Sequence, residues 1–309
     1  MKHFFIHLVP WTILLACLAA VEYFWGWKTV LAAWQSFSGQ AAITLLCLML
    51  ISYALRTMRL YDFFQQAVAG RYGLCLRLML YHNILNNLLP FRSGELSFPL
   101  LMKRYFGVSY LVSTPGLLLF RLFDLHVILT LGLIAVFTGV VDAGPSLMIG
   151  AIAGLIPFAV FYFRQLLNTW VLAHTSETSQ FRVVVAALPE SGWIFLRCWW
   201  WSWANWSVKL YALAWLIGEF AGVSLGAALG GAVVGELSSV LPINAPGNAG
   251  TYEAGIAVGL LPHGVSSERM VSAAVNTHLF VLLASAVGAL LAWVLPFSKQ
   301  TTWAEHDNE

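Results

Sequence analysis

Apolar residues run along this chain in long blocks, with neither the strict alternation of strands nor the one-faced stripe of surface helices. Such blocks cover residues 8–27, 40–55, 111–140, 146–163, 193–217 and 270–296. A helix needs about 20 mostly apolar residues to cross a bilayer, so each block predicts a spanning helix. Two further apolar stretches break off. Residues 74–90 end at Leu88-Leu89-Pro90 and then meet Arg92 and Glu95. Residues 225–242 end at Leu241-Pro242 and then meet Asn244, Pro246 and Gly247. Each is followed by a short apolar piece, 96–102 and 251–262. Backbone broken by Pro and Gly is tolerated at membrane depth where other helices or a wet cavity satisfy the freed polar groups. The pattern therefore predicts an all-α polytopic membrane bundle with two re-entrant hairpins. Pro90, Gly94, Pro242, Pro246, Gly247 and Gly250 are its helix-breaking residues.

Composition agrees. The chain is 60% hydrophobic and 10% charged, where a soluble domain carries about 25% charged residues. A net charge of +2 is too small to suggest a nucleic-acid partner. The 14 Trp and 20 Phe suit interfacial belts. Cys17, Cys47, Cys75 and Cys198 lie in apolar runs without CxxC spacing, and read as small buried hydrophobes. The first apolar run continues past Ala19 and Ala20, which favours an uncleaved span over a signal peptide. The expected organisation is one integral membrane domain, 1–309, with halves at about 40–140 and 190–296 and a charged tail at 297–309.

Loop charge sets an orientation. Arg56, Arg59, Arg71 and Arg77, then Lys103 and Arg104, place the region around the first hairpin's mouth in the cytoplasm. The loop at Val141-Asp142-Ala143-Gly144 carries no Lys or Arg and reads as outside, Arg164 and Arg182 return the next loop inside, and Lys299 ends the last span inside. Both termini are expected in the cytoplasm of a cell inner-membrane protein. Arg269 falls near the outer face and dissents.

The two broken stretches echo each other. The first runs Asn86-Asn87-Leu88-Leu89-Pro90-Phe91-Arg92-Ser93-Gly94-Glu95. The second runs Ser238-Ser239-Val240-Leu241-Pro242, through Pro246-Gly247-Asn248-Ala249-Gly250, to Thr251-Tyr252-Glu253. Both pass from small polar residues through Leu-Pro to a Gly and a Glu, a pattern that chance also produces in a Leu- and Gly-rich chain. Each half then sets a basic or titratable residue in an apolar helix: Arg121 with Asp124 in the first, His278 in the second. The orientation opens one hairpin from each side, so the repeat is expected to be inverted. Broken helices meeting near the midplane are the architecture of alternating-access carriers, and their free helix ends offer dipoles to a polar headgroup.

A charge at the bilayer centre costs roughly 2.5–3.5 kcal/mol on insertion scales, so each one needs a partner or a purpose. Arg121 and Asp124, three apart, share a helix face; they read either as a local neutral pair or as a partly free Arg121 able to grip phosphate. Arg92 and Glu95 form either an interfacial pair or a headgroup clamp. Glu253 starts a helix and has a capping reading beside a functional one. Glu236 stands in an apolar stretch with no evident local partner. Asn83, Asn86 and Asn87 are placed to bond across helices or to touch a headgroup. His82, His126 and His278 have no second ligand at helical spacing, so neither a metal nor a cofactor is expected. Trp199, Trp200, Trp201, Trp203 and Trp206 read first as an interfacial belt, and otherwise as a stacking surface.

The run Asn87 to Glu95, Lys103-Arg104 and Arg121-Leu122-Phe123-Asp124, with the Pro-Gly-x-x-Gly turn that leads to Glu253, resembles the transmembrane region of lysylphosphatidylglycerol synthases and their standalone flippase-like relatives. The resemblance spans about 40–295. It implies movement of an anionic or aminoacylated phospholipid, or of a polyprenyl-phosphate-linked lipid, between leaflets. It assigns Arg92 and Arg121 to an anionic headgroup, and Glu95 and Glu253 to gating or to a cationic group. Asn87, Asp124, Glu236, Asn244 and His278 complete the expected substrate site, and Pro90, Pro242 and Gly247 shape the broken helices. Two departures stand out. The synthases' soluble aminoacyl-transferase domain is not expected within these 309 residues, and His278 stands where the family often has Arg, which makes that charge titratable.

Two other classes compete. A membrane-embedded transferase or hydrolase on a polyprenyl-phosphate lipid would use Glu236 or Glu253 as base, but the paired carboxylates of Mg²⁺–phosphate chemistry are missing from the sequence. A scaffold for a partner glycosyltransferase or lipid synthase would move no lipid itself. Nothing resembles a P-loop, so no direct use of ATP is expected.

Overall fold

The computed structural model describes residues 2–140, 143–176, 179, 182, 185, 188–240 and 245–295. Leu241, Pro242 and Asn244, the Val141-Asp142 loop and the 297–309 tail with Lys299 lie outside the described residues. Among the described residues the chain is helical and contains no strand.

α1 (Lys2–Phe24) and α2 (Trp27–Ala32) form a bent pair, turned by 81° at Trp25-Gly26. The straight first span expected over 8–27 thus ends in a sharp bend, where Gly26 takes a φ of 77° that side-chain-bearing residues avoid. α3 (Gly39–Phe63) is followed by the short α4 (Gln65–Val68). α5 (Tyr72–Leu88) and α6 (Ser97–Phe106) are the arms of the first hairpin, joined by the tip Pro90–Leu96. α6 stops at Gly107 in the left-handed region, with Lys103 and Arg104 on its last turn, opposite the helix's negative end. α7 (Tyr110–Val140), α8 (Ala143–Tyr162) and the short α9 (Arg164–His174) follow.

The second half repeats the order. α10 (Gly192–Ala221) is capped by Ser191 and ends at the left-handed Gly222. α11 (Leu225–Ser238), capped by Ser224, and α12 (Thr251–Leu260) are the arms of the second hairpin. α13 (Ser267–Val294) closes the bundle. The helices at Gly39–Phe63, Tyr110–Ala135, Gly144–Tyr162 and Ser267–Val294 are long and apolar enough to cross a membrane alone. α10 meets that test only together with α11, from which it is bent by 115°. Lys209 and Arg197 interrupt its apolar run, so the expected simple span at 193–217 is a helix with a polar inner face.

Packing pairs corresponding helices of the two halves. α3 packs on α10, the first long helix of one half on that of the other. α5 packs on α13 and α11 on α7, so the first arm of each hairpin lies against the closing span of the opposite half, while α6 and α12 lie against that of their own. Arg77 near the start of α5 donates to the Leu295 carbonyl just past α13 at 2.6 Å. The first hairpin therefore opens at the C-terminal end of α13, and the second opens at its N-terminal end. The two tips meet between these ends. This is the inverted arrangement expected from the sequence.

The arms of the second hairpin are in close backbone contact. A Cβ on Gly259 would lie 2.5 Å from the Gly230 carbonyl oxygen, so glycine is required there. With no hydrophobic force between helices in lipid, such small-residue contacts carry association. The lipid-facing surface is apolar, with Ile43, Leu111, Ile152, Leu155, Leu283 and Leu290 exposed. Cys75 and Cys198 are buried, whereas Cys17 is half-buried and Cys47 is exposed on the outside of α3, so the reading of all four as buried hydrophobes holds for two.

Candidate functional site

The hairpin tips, the adjoining ends of α5, α11 and α12, and the middles of α7, α10 and α13, with Arg56 of α3, surround a polar cavity of about 170 Å3. A single water needs only about 10–15 Å3, so this space takes several waters or a small headgroup. Of the expected site residues, Asn87, Arg92, Arg121, Asp124, Glu236 and His278 line it. Glu95 and Glu253 stand directly behind, bonded to residues on the wall.

The first tip is strained. Phe91 and Arg92, at φ of 53° and 55°, both sit in the left-handed region that non-glycine residues avoid. Gly94 permits the turn, since a Cβ there would lie 2.4 Å from Asn86 Cα. The fold returns Arg92 over the cavity. Its Nη2 donates to Glu95 Oε1 at 2.8 Å, and its Nη1 donates to the Val240 carbonyl of the second hairpin at 2.7 Å. Arg92 thus keeps its pair with Glu95 and also bridges the two tips. The second tip turns at Pro246, Gly247 (φ 70°) and Gly250 (φ 84°), as expected.

Arg121 is not partly free, as one reading of the sequence held. Its Nη2 lies 2.8 Å from Glu95 Oε1, and Asp124 is the more distant partner at 3.5 Å. Asp124 belongs mainly to Arg59 of α3, at 2.6 Å, and also accepts from Trp206 Nε1 at 2.8 Å. The local neutral pair is therefore only a minor contact. Glu236 also has partners: Lys209 at 2.7 Å and Tyr252 Oη at 3.1 Å, both brought from other helices. Glu253 caps α12 and also reaches the closing span. One oxygen accepts the Gly250 N–H at 2.8 Å and caps α12, and the other lies 2.7 Å from His278 Nδ1. Asn83 and Asn87 donate to Ser285 of α13 at 3.1 and 2.6 Å, the cross-helix bonds foreseen for them.

His82 bonds Ser97 through Nδ1 at 2.8 Å and joins the two arms of the first hairpin, which is a packing role. The tryptophans divide by helix face. Trp206 and Trp201 turn inward to Asp124 and Asp62, so they are not belt residues. Trp199, Trp200 and Trp203 wall a separate apolar groove of about 670 Å3 floored by Gly150, Ala151 and Gly154. Among the described residues no group of three His, Cys, Asp or Glu side chains could hold a metal ion.

Sequence reasoning missed three cations. The sequence pattern assigns Arg56 and Arg59 to loop charge, yet α3 continues to Phe63 and turns both inward. That leaves Arg71, Arg77, Lys103 and Arg104 to carry the positive-inside signal at this end. Lys209 lies inside the apolar 193–217 run. The signals were there: no Gly or Pro interrupts the chain between 55 and 69, and a lone Lys in a span needs a partner. Counting side chains on or directly behind the wall, Arg56, Arg59, Arg92, Arg121 and Lys209 face Glu95, Asp124 and Glu236. The Glu253–His278 pair adds zero or one negative charge, depending on the imidazole's proton.

A multi-pass helical membrane protein, with two inverted broken hairpins closing on a charged cavity, is the class that fold and site define. The chain belongs to the family described as the lysylphosphatidylglycerol synthase TM region, whose match covers residues 8–288. No curated protein and no solved structure matches it.

Proposed function

We propose that this protein is a lipid translocase, which carries the headgroup of an amphipathic lipid through the cavity between the hairpin tips while the tail stays in the bilayer. The observation that carries this reading is the charge-lined cavity where two oppositely opening hairpins meet. A charged cavity inside an apolar bundle is costly to maintain and has a purpose if it substitutes for water around a headgroup. Arg92 is the contact that parts when one hairpin moves from the other, and Arg121 holds the carboxylate to which Arg92 returns. The protein acts without chemistry on the lipid, lies in a cell inner membrane, and has both termini in the cytoplasm.

Reconstitution of the purified chain in liposomes tests this. Leaflet exchange is followed for two labelled probes, an aminoacyl phospholipid and a polyprenyl phosphate. Exchange of either, lost in Arg121→Ala, supports translocation. No exchange of either probe by folded protein overturns it and favours a scaffold for a partner glycosyltransferase or lipid synthase.

A further inference from the structure

Arg56 differs from every other charged side chain of the cavity. It lies in the middle of the packed length of α3 with 9% of its surface exposed, and it lines the cavity wall. Among the described residues its guanidinium has no hydrogen-bond or ion-pair partner, and its Nε is buried without one. The ring of Trp206 lies 5.7 Å from its guanidinium, and Asp124 and Glu236 act on it only through space, beyond ion-pair distance. The carboxylates on the same wall are taken: Asp124 by Arg59, Trp206 and Arg121, and Glu236 by Lys209 and Tyr252.

An arginine does not shed its proton in a protein, so this charge persists in a low-dielectric site. A buried, unpaired charge is among the costliest features a fold can hold, and more so within a bilayer. Five cations facing three carboxylates leave a surplus of two positive charges, or of one when Glu253 is ionised beside a neutral imidazole. Whatever enters must bring negative charge and free acceptor oxygens. The planar guanidinium fork matches a phosphate in this way.

We infer that Arg56 is the centre of a phosphate site, and that the cavity selects anionic phosphate headgroups over cationic aminoacylated ones. This rests on the translocase reading only for its consequence, since binding can be measured without transport. A phosphate monoester carries about −1.5 to −2 charges at neutral pH and cancels the surplus. A lysyl ester of phosphatidylglycerol carries two ammonium groups against one phosphate. It would add to the surplus, and no wall carboxylate is spare to receive the ammonium groups.

The test is equilibrium binding to the purified full chain in nanodiscs of neutral lipid. Three probes are used: a short-chain lipid phosphomonoester, inorganic phosphate and lysylphosphatidylglycerol. The expected result is that the lipid phosphomonoester binds at least tenfold tighter than the lysyl lipid. Arg56→Gln should lose at least tenfold of that affinity, and Arg56→Lys should lose less. Inorganic phosphate binding that is lost in Arg56→Gln also supports the site, and places recognition in the phosphate rather than the tail. The inference is overturned if Arg56→Gln binds all three probes as the wild type does, or if the lysyl lipid binds tightest. Because Arg56→Gln removes an unpaired charge, it should fold, and its melting curve checks this. Anion binding without leaflet exchange would leave the site standing and sink translocation. Exchange of the lysyl lipid with no Arg56-dependent binding would do the reverse.

Discussion

His278 Nδ1 lies 2.7 Å from Glu253 Oε1, in the place that Arg121 and Glu95, 2.8 Å apart, hold in the first half. In both halves a carboxylate at the hairpin tip is tied to the closing span. The first tie is a permanent ion pair. The second has full charge only when the imidazole is protonated. Glu253→Gln keeps an oxygen to cap Gly250 while removing the charge, so it isolates the tie from the cap. In a double-mutant cycle with His278→Asn, thermal unfolding in detergent should show a coupling of about 0.5–3 kcal/mol. Glu253→Ala should cost a further ~1 kcal/mol by losing the cap. Strict additivity of the Glu253→Gln and His278→Asn effects would disprove the tie.

Arg56 and Arg59 lie one helical turn apart on α3 and should respond oppositely to the same substitution. Arg59 is 2% exposed and bound to Asp124, so Arg59→Met leaves a buried carboxylate without its main partner. The expected loss is about 3–5 kcal/mol. Arg56→Met removes a charge that has no partner and should raise ligand-free stability by on the order of 1 kcal/mol. Melting temperatures of the two variants decide it; a fall in both would mean that Arg56 has a structural partner.

Arg92→Gly removes the clamp to Val240 and at the same time relieves the left-handed backbone at this position. The tip should keep its shape while the hairpins part more readily. In a background stripped of native cysteines, a cysteine introduced by Asn87→Cys should then react with a water-soluble thiol reagent several-fold faster than in the Arg92 parent. An unchanged rate would show that the clamp does not close the cavity.

Gly259→Ala should separate the arms of the second hairpin, because the added methyl meets the Gly230 carbonyl. A cost of about 1–3 kcal/mol is expected from overpacking. Gly73→Ala, where a Cβ meets nothing within 4 Å, is the control and should be neutral or mildly stabilising. Equal effects at the two positions would count against close contact of the arms.

The spans and the two broken hairpins were legible in the chain because a bilayer imposes a length and a polarity on every helix, and Pro and Gly mark where that is interrupted. Pro90, Gly94, Gly247 and Gly250 stand where the helices break, and the chain alone also placed Glu95, Arg121, Asp124, Glu253 and His278 among the charges that need a reason to be there. Which charge meets which was not legible. Local spacing paired Arg121 with Asp124, but α3 packing on α10 and beside α7 gave Asp124 to Arg59, α10 gave Lys209 to Glu236, and the tip of the first hairpin gave Glu95 to Arg121. Above all, only the tertiary structure singled out Arg56. A sequence records where charges lie along a helix, whereas their partners are set by the rotation and depth at which helices from opposite halves pack.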